Sequence, residues 1–123
     1  IMHNAQLWLR LVHGAFQKEK MHTRQEQMEA FGALLDVLDE LREKCPWDRK
    51  QTNESLRPNT IEEVFELSDA LMKDDTANIS KELGDVLLHV CFYAKIADEK
   101  GQFDMYDATP MSMATPRRLT LAR

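Results

Sequence analysis

Two pairs of carboxylates in this sequence have the spacing to hold a hard cation. Glu63 and Glu66 lie in the run Ile61-Glu62-Glu63-Val64-Phe65-Glu66, and Glu82 and Asp85 lie in Glu82-Leu83-Gly84-Asp85. Residues three apart project from one side of a helix. Four acidic groups converging from two helices would make a site for Mg²⁺, which takes oxygen ligands. Convergence would point to metal-dependent phosphate chemistry. Without it, the same residues are ordinary surface charge.

Three helices are expected to position them. The first runs over 24–44, where Phe31, Leu34, Leu35, Leu38 and Leu41 form an apolar stripe. Asp36, Asp39, Glu40 and Arg42 face elsewhere, and Pro46 ends the helix. A connector follows over 45–59. The second helix is expected over 60–73, with Ile61, Val64, Phe65, Ser68, Leu71 and Met72 on its core side. Residues 74–78 form a turn. The third helix runs over 79–100, with Gly101 as its C-terminal cap.

Composition agrees with an all-α chain. Four glycines and four prolines in 123 residues leave few turns, and the apolar residues recur at helical spacing. The length suits one domain with a modest core. A net charge of -5 argues against a nonspecific nucleic-acid binder, and an anionic substrate would need a bridging cation. Cys45 and Cys91 are too few for a disulfide framework and have no metal-ligand spacing. A reduced, cytoplasmic protein is the simple expectation. No apolar run approaches the length of a membrane span.

The two acidic helices carry different weight. The third is apolar nearly all the way round from Leu83 to Ala97, yet Asp85 and His89 sit within it on the face of Glu82. An unpaired carboxylate buried there would tend to take up a proton, unless a metal or a basic partner relieved it. On the second helix, the acidic face lies opposite the apolar stripe, where solvated charge is the bland expectation. Thr60-Ile61-Glu62-Glu63 is also a capping-box pattern. Neither spacing alone identifies an enzyme.

The blocks around these pairs resemble a known family. Cys45-Pro46-Trp47-Asp48, Gln51-Thr52, Ser55-Leu56, Ile61 to Glu66 and Lys81-Glu82-Leu83-Gly84-Asp85-Val86-Leu87 are similar, in residues and order, to the MazG nucleoside triphosphate pyrophosphohydrolases. The resemblance covers 21–104. It implies a MazG-like helical bundle completed by dimerisation, as a homodimer or higher homo-oligomer. It implies hydrolysis of a nucleoside triphosphate to the monophosphate and pyrophosphate. It further implies that Glu63, Glu66, Glu82 and Asp85 bind Mg²⁺, with Mn²⁺ as a substitute, and that Glu62 is a further ligand or a water-positioning base. Such an ion would neutralise the triphosphate, acidify a water and stabilise the leaving pyrophosphate.

Other residues have two readings. Trp47 either stacks on a base or plugs the corner between the first two helices. Arg49 and Lys50 either hold phosphates or are common exposed cations. Lys95 either reaches a phosphate or pairs with an acidic neighbour. His89 is expected to be a hydrogen-bonded core histidine, and Cys91 a small core residue. Residues 1–20 read as a leader or N-terminal extension. Residues 105–123 read as an atypical tail, where family members continue into a further helix with a basic, histidine-containing segment. Two other readings stand beside the enzyme. A di-iron carboxylate bundle would want Glu-x-x-His on two helices. A non-catalytic interaction module would bind neither Mg²⁺ nor nucleotide.

Overall fold

The computed structural model describes residues 21–112. The expected leader and the 113–123 part of the expected tail lie outside the described residues. Every regular element among the described residues is a helix, in line with the expected class: α1 (Arg24–Lys44), α2 (Pro46–Arg49), α3 (Asn53–Met72), α4 (Thr76–Glu99) and α5 (Met105–Ala108). The chain divides into two compact units between Leu34 and Leu35, inside α1. In the first unit, α1 opens on a reciprocal cap. The Glu26 amide donates to Thr23 Oγ1 at 3.0 Å, and the Thr23 amide donates to Glu26 Oε1 at 2.8 Å. These bonds satisfy two amides that the helix start leaves unpaired. The second unit holds the end of α1 and all that follows it, including the carboxylates.

α3 begins at Asn53, not at Thr60. Thr52 is the N-cap: its hydroxyl accepts from the Ser55 amide at 3.1 Å, and Ser55 Oγ accepts from the Thr52 amide at 2.8 Å. Pro58 suggests a boundary, yet within α3 it removes one backbone bond near the start of the helix, and the cap outweighs that loss. The capping box expected at Thr60 and Glu63 therefore does not form. Thr60 is interior, and its hydroxyl donates back to the Leu56 carbonyl at 3.1 Å. Glu63 is left free to face a neighbouring helix.

A tight link turns α3 into α4. The amide of Asp75 reaches the Ala70 carbonyl at 3.1 Å, and that of Asp74 reaches Leu71 at 3.1 Å, with Asp74 left-handed at φ 53°. Asp75 is at once the N-cap of α4, accepting from the Asn78 amide. α3 and α4 thus form an antiparallel hairpin. Gly101 ends α4 in the same manner, at φ 71°, as expected. The expected tail does contain order as far as 112: Asp104 and Asp107 cap each other's backbone amides and start the single turn of α5.

The rotation of α3 is the main departure from expectation. Leu56 and Ala70 are buried, and Thr60, Glu63 and Leu67 are half-buried between them, a seam of alternating four- and three-residue steps. The stripe expected to face the core is instead turned outward: Ile61, Val64, Phe65, Leu71 and Met72 are all exposed, Phe65 by 70%. α4 shares this division. Cys91, Phe92, Ala94, Ile96 and Ala97 are buried toward its end, whereas Leu83, Leu87 and Val90 are exposed. The short link fixes which faces the two helices can turn toward each other, and it selects the acidic one.

Candidate metal centre

On the inner seam of the hairpin, Glu63 and Glu66 of α3 meet Glu82 of α4. One carboxylate oxygen from each lies within 4.8 Å of the other two. Glu82 is buried, Glu63 is half-buried and Glu66 is exposed, so the cluster has a protein floor and a solvent side. Two of its oxygens, Glu63 Oε1 and Glu82 Oε1, are buried with no hydrogen-bond partner. A buried carboxylate oxygen without a donor is costly. Three carboxylates that reach this separation, two of them carrying a buried oxygen without a donor, fit a hard divalent cation, which takes oxygen ligands. Glu66 and Glu82 also border an open cleft with Phe65, Asp69, Lys73 and Asn78, which leaves the cluster accessible from the hairpin's turn.

Asp85 stands one turn beyond Glu82. Its Oδ2 accepts from Lys81 Nζ at 3.0 Å, and the same ammonium lies 3.5 Å from Glu82 Oε2. The Asp85 bond, and then the charges of Asp85 and Glu82, raise the Lys81 pKa. Burial pushes the Glu63 carboxyl up, and the charges of Glu66, Asp85 and Glu82 push it further. The three expected partners of Glu63 thus all act on it electrostatically, and Asp85 belongs to the same charged neighbourhood although Lys81 holds it. Lys81 was absent from the expected site. Its sequence signals are its place at the head of the block Lys81-Glu82-Leu83-Gly84-Asp85 and its spacing four residues before Asp85, and the spacing reads equally well as a surface pair.

The other expected residues separate. Glu62 is exposed and is not among the converging oxygens. Trp47 is 58% exposed and borders a cavity of about 100 Å³ together with Leu38 and Leu41 of α1, Leu56 and Asn59 of α3, and His89 and Phe92 of α4. Arg49 donates to the Glu43 carbonyl at 3.3 Å, and Lys50 is exposed. Lys95 pairs with Asp39 at 3.0 Å, the structural one of its two readings, and sits about 15 Å along α4 from Asp85. His89 Nδ1 lies 2.6 Å from Thr60 Oγ1, as a hydrogen-bonded histidine should. No Glu-x-x-His pair therefore serves the cluster, and the di-iron reading finds no support among the described residues.

Arg42, expected to face away, is the side chain that ties the connector down. Its guanidinium forks onto Glu99 at 2.8 and 2.9 Å and donates to the carbonyls of Asp48, Arg49 and Gln51 at 2.7, 3.2 and 2.9 Å. It also lies over the Phe92 ring, 5.6 Å from its centre. The segment that carries Trp47 is thereby fixed against α4.

The sequence profile of the MazG nucleotide pyrophosphohydrolase domain matches residues 51–115, just over half of the chain. The chain belongs to the MazG family. Among curated relatives, the nucleoside triphosphate pyrophosphohydrolase/pyrophosphatase MazG of Thermotoga maritima is 48% identical over 79 residues, covering 63% of this chain and 31% of that protein. The nucleoside triphosphate pyrophosphohydrolase of Escherichia coli K12 is 41% identical over 83 residues, covering 65% and 32%. The chain thus spans about a third of the length of these relatives. A crystal structure of a MazG-related protein from Thermotoga maritima superposes with a TM-score of 0.57 at 31% identity, covering 63% of this chain and 68% of that one. The matched MazG region contains the whole of α3 and α4, and with them every carboxylate of the cluster.

Proposed function

We propose that this MazG-family chain is a Mg²⁺-dependent enzyme that hydrolyses nucleoside triphosphates, ribo or deoxy, to the monophosphate and pyrophosphate. The observation that carries the reading is the convergence of Glu63, Glu66 and Glu82 with two orphaned, buried oxygens. Those three, with Asp85 released from Lys81, would hold one or more Mg²⁺ ions, or Mn²⁺ in their place. A bound ion supplies Lewis acidity toward the phosphates and the attacking water. The carboxylates themselves keep the negative charge needed to fix the ion and to orient water by hydrogen bonds. Lys81, once freed from Asp85, is a cation beside the site for a phosphate oxygen. Glu62, exposed at the edge, is the remaining candidate for positioning water. Arg49 and Lys50 stay as candidate phosphate contacts from the connector, and Lys95 is left out because Asp39 holds it.

The functional unit is a homodimer. The outward apolar faces of α3 and α4, with Phe65 and Met72 the most exposed, suit a second copy that would bury both and complete a four-helix arrangement. Phe65→Glu should then convert a dimer to a monomer in sedimentation, and a wild-type monomer would sink this assignment. The catalytic region spans 21–104, preceded by an extension and followed by an atypical tail. No helix among the described residues is long and apolar enough to cross a membrane, which accords with action in the cytoplasm on free nucleotides.

The test is turnover. Purified protein with a panel of NTPs and dNTPs plus Mg²⁺ should release monophosphate and pyrophosphate in equal amounts. Glu66→Gln and Asp85→Asn should each abolish release while keeping the helical circular dichroism. No pyrophosphate from any substrate would reject the activity for this chain.

A further inference from the structure

One turn along the seam from the acidic cluster, α3 and α4 are fastened by three side chains that are not among its converging oxygens. Thr60 Oγ1 donates to the Leu56 carbonyl at 3.1 Å. A hydroxyl has one hydrogen and two lone pairs, so its remaining partners must donate to it. They are His89 Nδ1 at 2.6 Å and the Tyr93 hydroxyl at 2.5 Å, from successive turns of α4. One oxygen of α3 thus receives two donors of α4, and its bonding capacity is filled. We infer that this clamp sets the separation of the carboxylates and thereby selects a small divalent cation, Mg²⁺ over Ca²⁺. Thr60, His89 and Tyr93 act as positioning residues, and none is a ligand. The role rests on the metal reading of the carboxylates and adds the choice of ion.

The clamp lies where it can act. Thr60 precedes Glu63 by three residues on α3, and His89 follows Asp85 by four on α4. Those steps are about 4.5 Å and about 6 Å along antiparallel helices, and both lead away from the turn. On the other side of the cluster, the Asp75 amide bonds the Ala70 carbonyl at 3.1 Å and closes the link between the helices. Glu63, Glu66 and Glu82 therefore stand between two fastened points. Like charges within 4.8 Å of one another push the helices apart, and a fastening at the turn alone would let the far end yield. Thr60, His89 and Tyr93 are half-buried, where a hydrogen bond is stronger than in water. Mg²⁺ demands near-octahedral oxygen ligands at about 2.0–2.1 Å, whereas Ca²⁺ accepts irregular ones at about 2.3–2.6 Å. A seam held to one width favours the first ion, and a seam free to open favours the second.

Calorimetric titration of the whole chain with MgCl₂ and with CaCl₂, without nucleotide, tests the assignment. Thr60→Val keeps the shape of the side chain and removes the hydroxyl. Its ratio of Ca²⁺ to Mg²⁺ dissociation constants should fall by about tenfold or more from the wild-type ratio, the scale on which loss of an outer support weakens a metal site. Thr60→Ser keeps the hydroxyl and should keep the ratio. Tyr93→Phe removes one of the two donors and should lower the ratio in the same direction; it decides the matter if Thr60→Val does not fold. A merely structural clamp would lower the melting temperature in chelator and leave the ratio alone. An unchanged ratio in the deciding variant, beside a wild type that binds Mg²⁺, would overturn the clamp's role and leave the metal centre standing. A wild type that binds neither ion would overturn both.

Discussion

Replacing Glu63 with Gln should stabilise the metal-free protein and remove its response to Mg²⁺. Glu63, Glu66 and Glu82 bring oxygens within 4.8 Å of one another, and two of the three pairs include Glu63. One such pair of unit charges repels by about 3.5 kcal/mol at an effective dielectric of about 20, and by about 0.9 kcal/mol in bulk water. Protonation sets a ceiling on the penalty. Keeping a carboxyl of ordinary pKa 4.5 neutral at pH 7 costs about 3.4 kcal/mol, so its charge can cost no more than that. Glu66 is exposed, which places its share near the water end. A relief of about 1–2 kcal/mol remains, and each kcal/mol moves the melting temperature of a domain this size by about 4–8 °C. The assay is calorimetric melting with chelator and with saturating Mg²⁺. Wild type should gain about 2.7 kcal/mol when Mg²⁺ is about a hundredfold above its Kd, and Glu63→Gln far less. The pH dependence has a definite sign. The folded pKa of Glu63 is raised, so its contribution to stability is complete below 4.5 and is lost as pH rises through the folded value. Protons and metal compete for the same oxygens, so the Mg²⁺ increment should grow over that window. Glu63→Gln should lack both slopes. A lower melting point for the variant in chelator, or an equal Mg²⁺ gain in both proteins, would refute the reasoning.

Lys81→Met removes the cation that holds Asp85 and Glu82, so the metal-free melting temperature should fall while the Mg²⁺-induced gain grows, as read by the same melts. Arg42→Ala leaves three connector carbonyls and the Glu99 carboxylate without their donor; urea unfolding should show a loss of about 2–4 kcal/mol, recovered only in part by Arg42→Lys, which lacks the fork. Thr52→Ala should cost about 1 kcal/mol in urea unfolding, and Thr60→Ala should leave the start of α3 intact by amide exchange, because Thr52 is the cap.

Much of the helical frame is legible in the residues. The bounds of α1, the stop at Cys45-Pro46, the turn at Asp74-Asp75 and the cap at Gly101 all follow from local chemistry, which needs only a few neighbours to act. The start of α3 was obscured because Pro58 and Thr60 imitate a helix start, while the working cap is the quieter pair Thr52 and Ser55. Arg42 was unreadable because its partners are Glu99 and backbone carbonyls, and carbonyls leave no mark on a sequence.

The acidic pairs mark the boundary between the two kinds of information. Their spacing alone determined that each pair shares one side of a helix, because that depends only on helical rotation. Glu82 and Asp85 were also marked by their setting, since α4 has little polar face to hide them in. Tertiary structure alone decided that Glu63 turns inward. α3 has an apolar face and an acidic face, and local preference puts the apolar one inside. The tight link at 73–75 and the anchoring of Leu56, Leu67 and Ala70 rotate it the other way. That single rotation gathers Glu63, Glu66 and Glu82 into one cluster, leaves two buried oxygens seeking a ligand, and turns Phe65 and its neighbours outward.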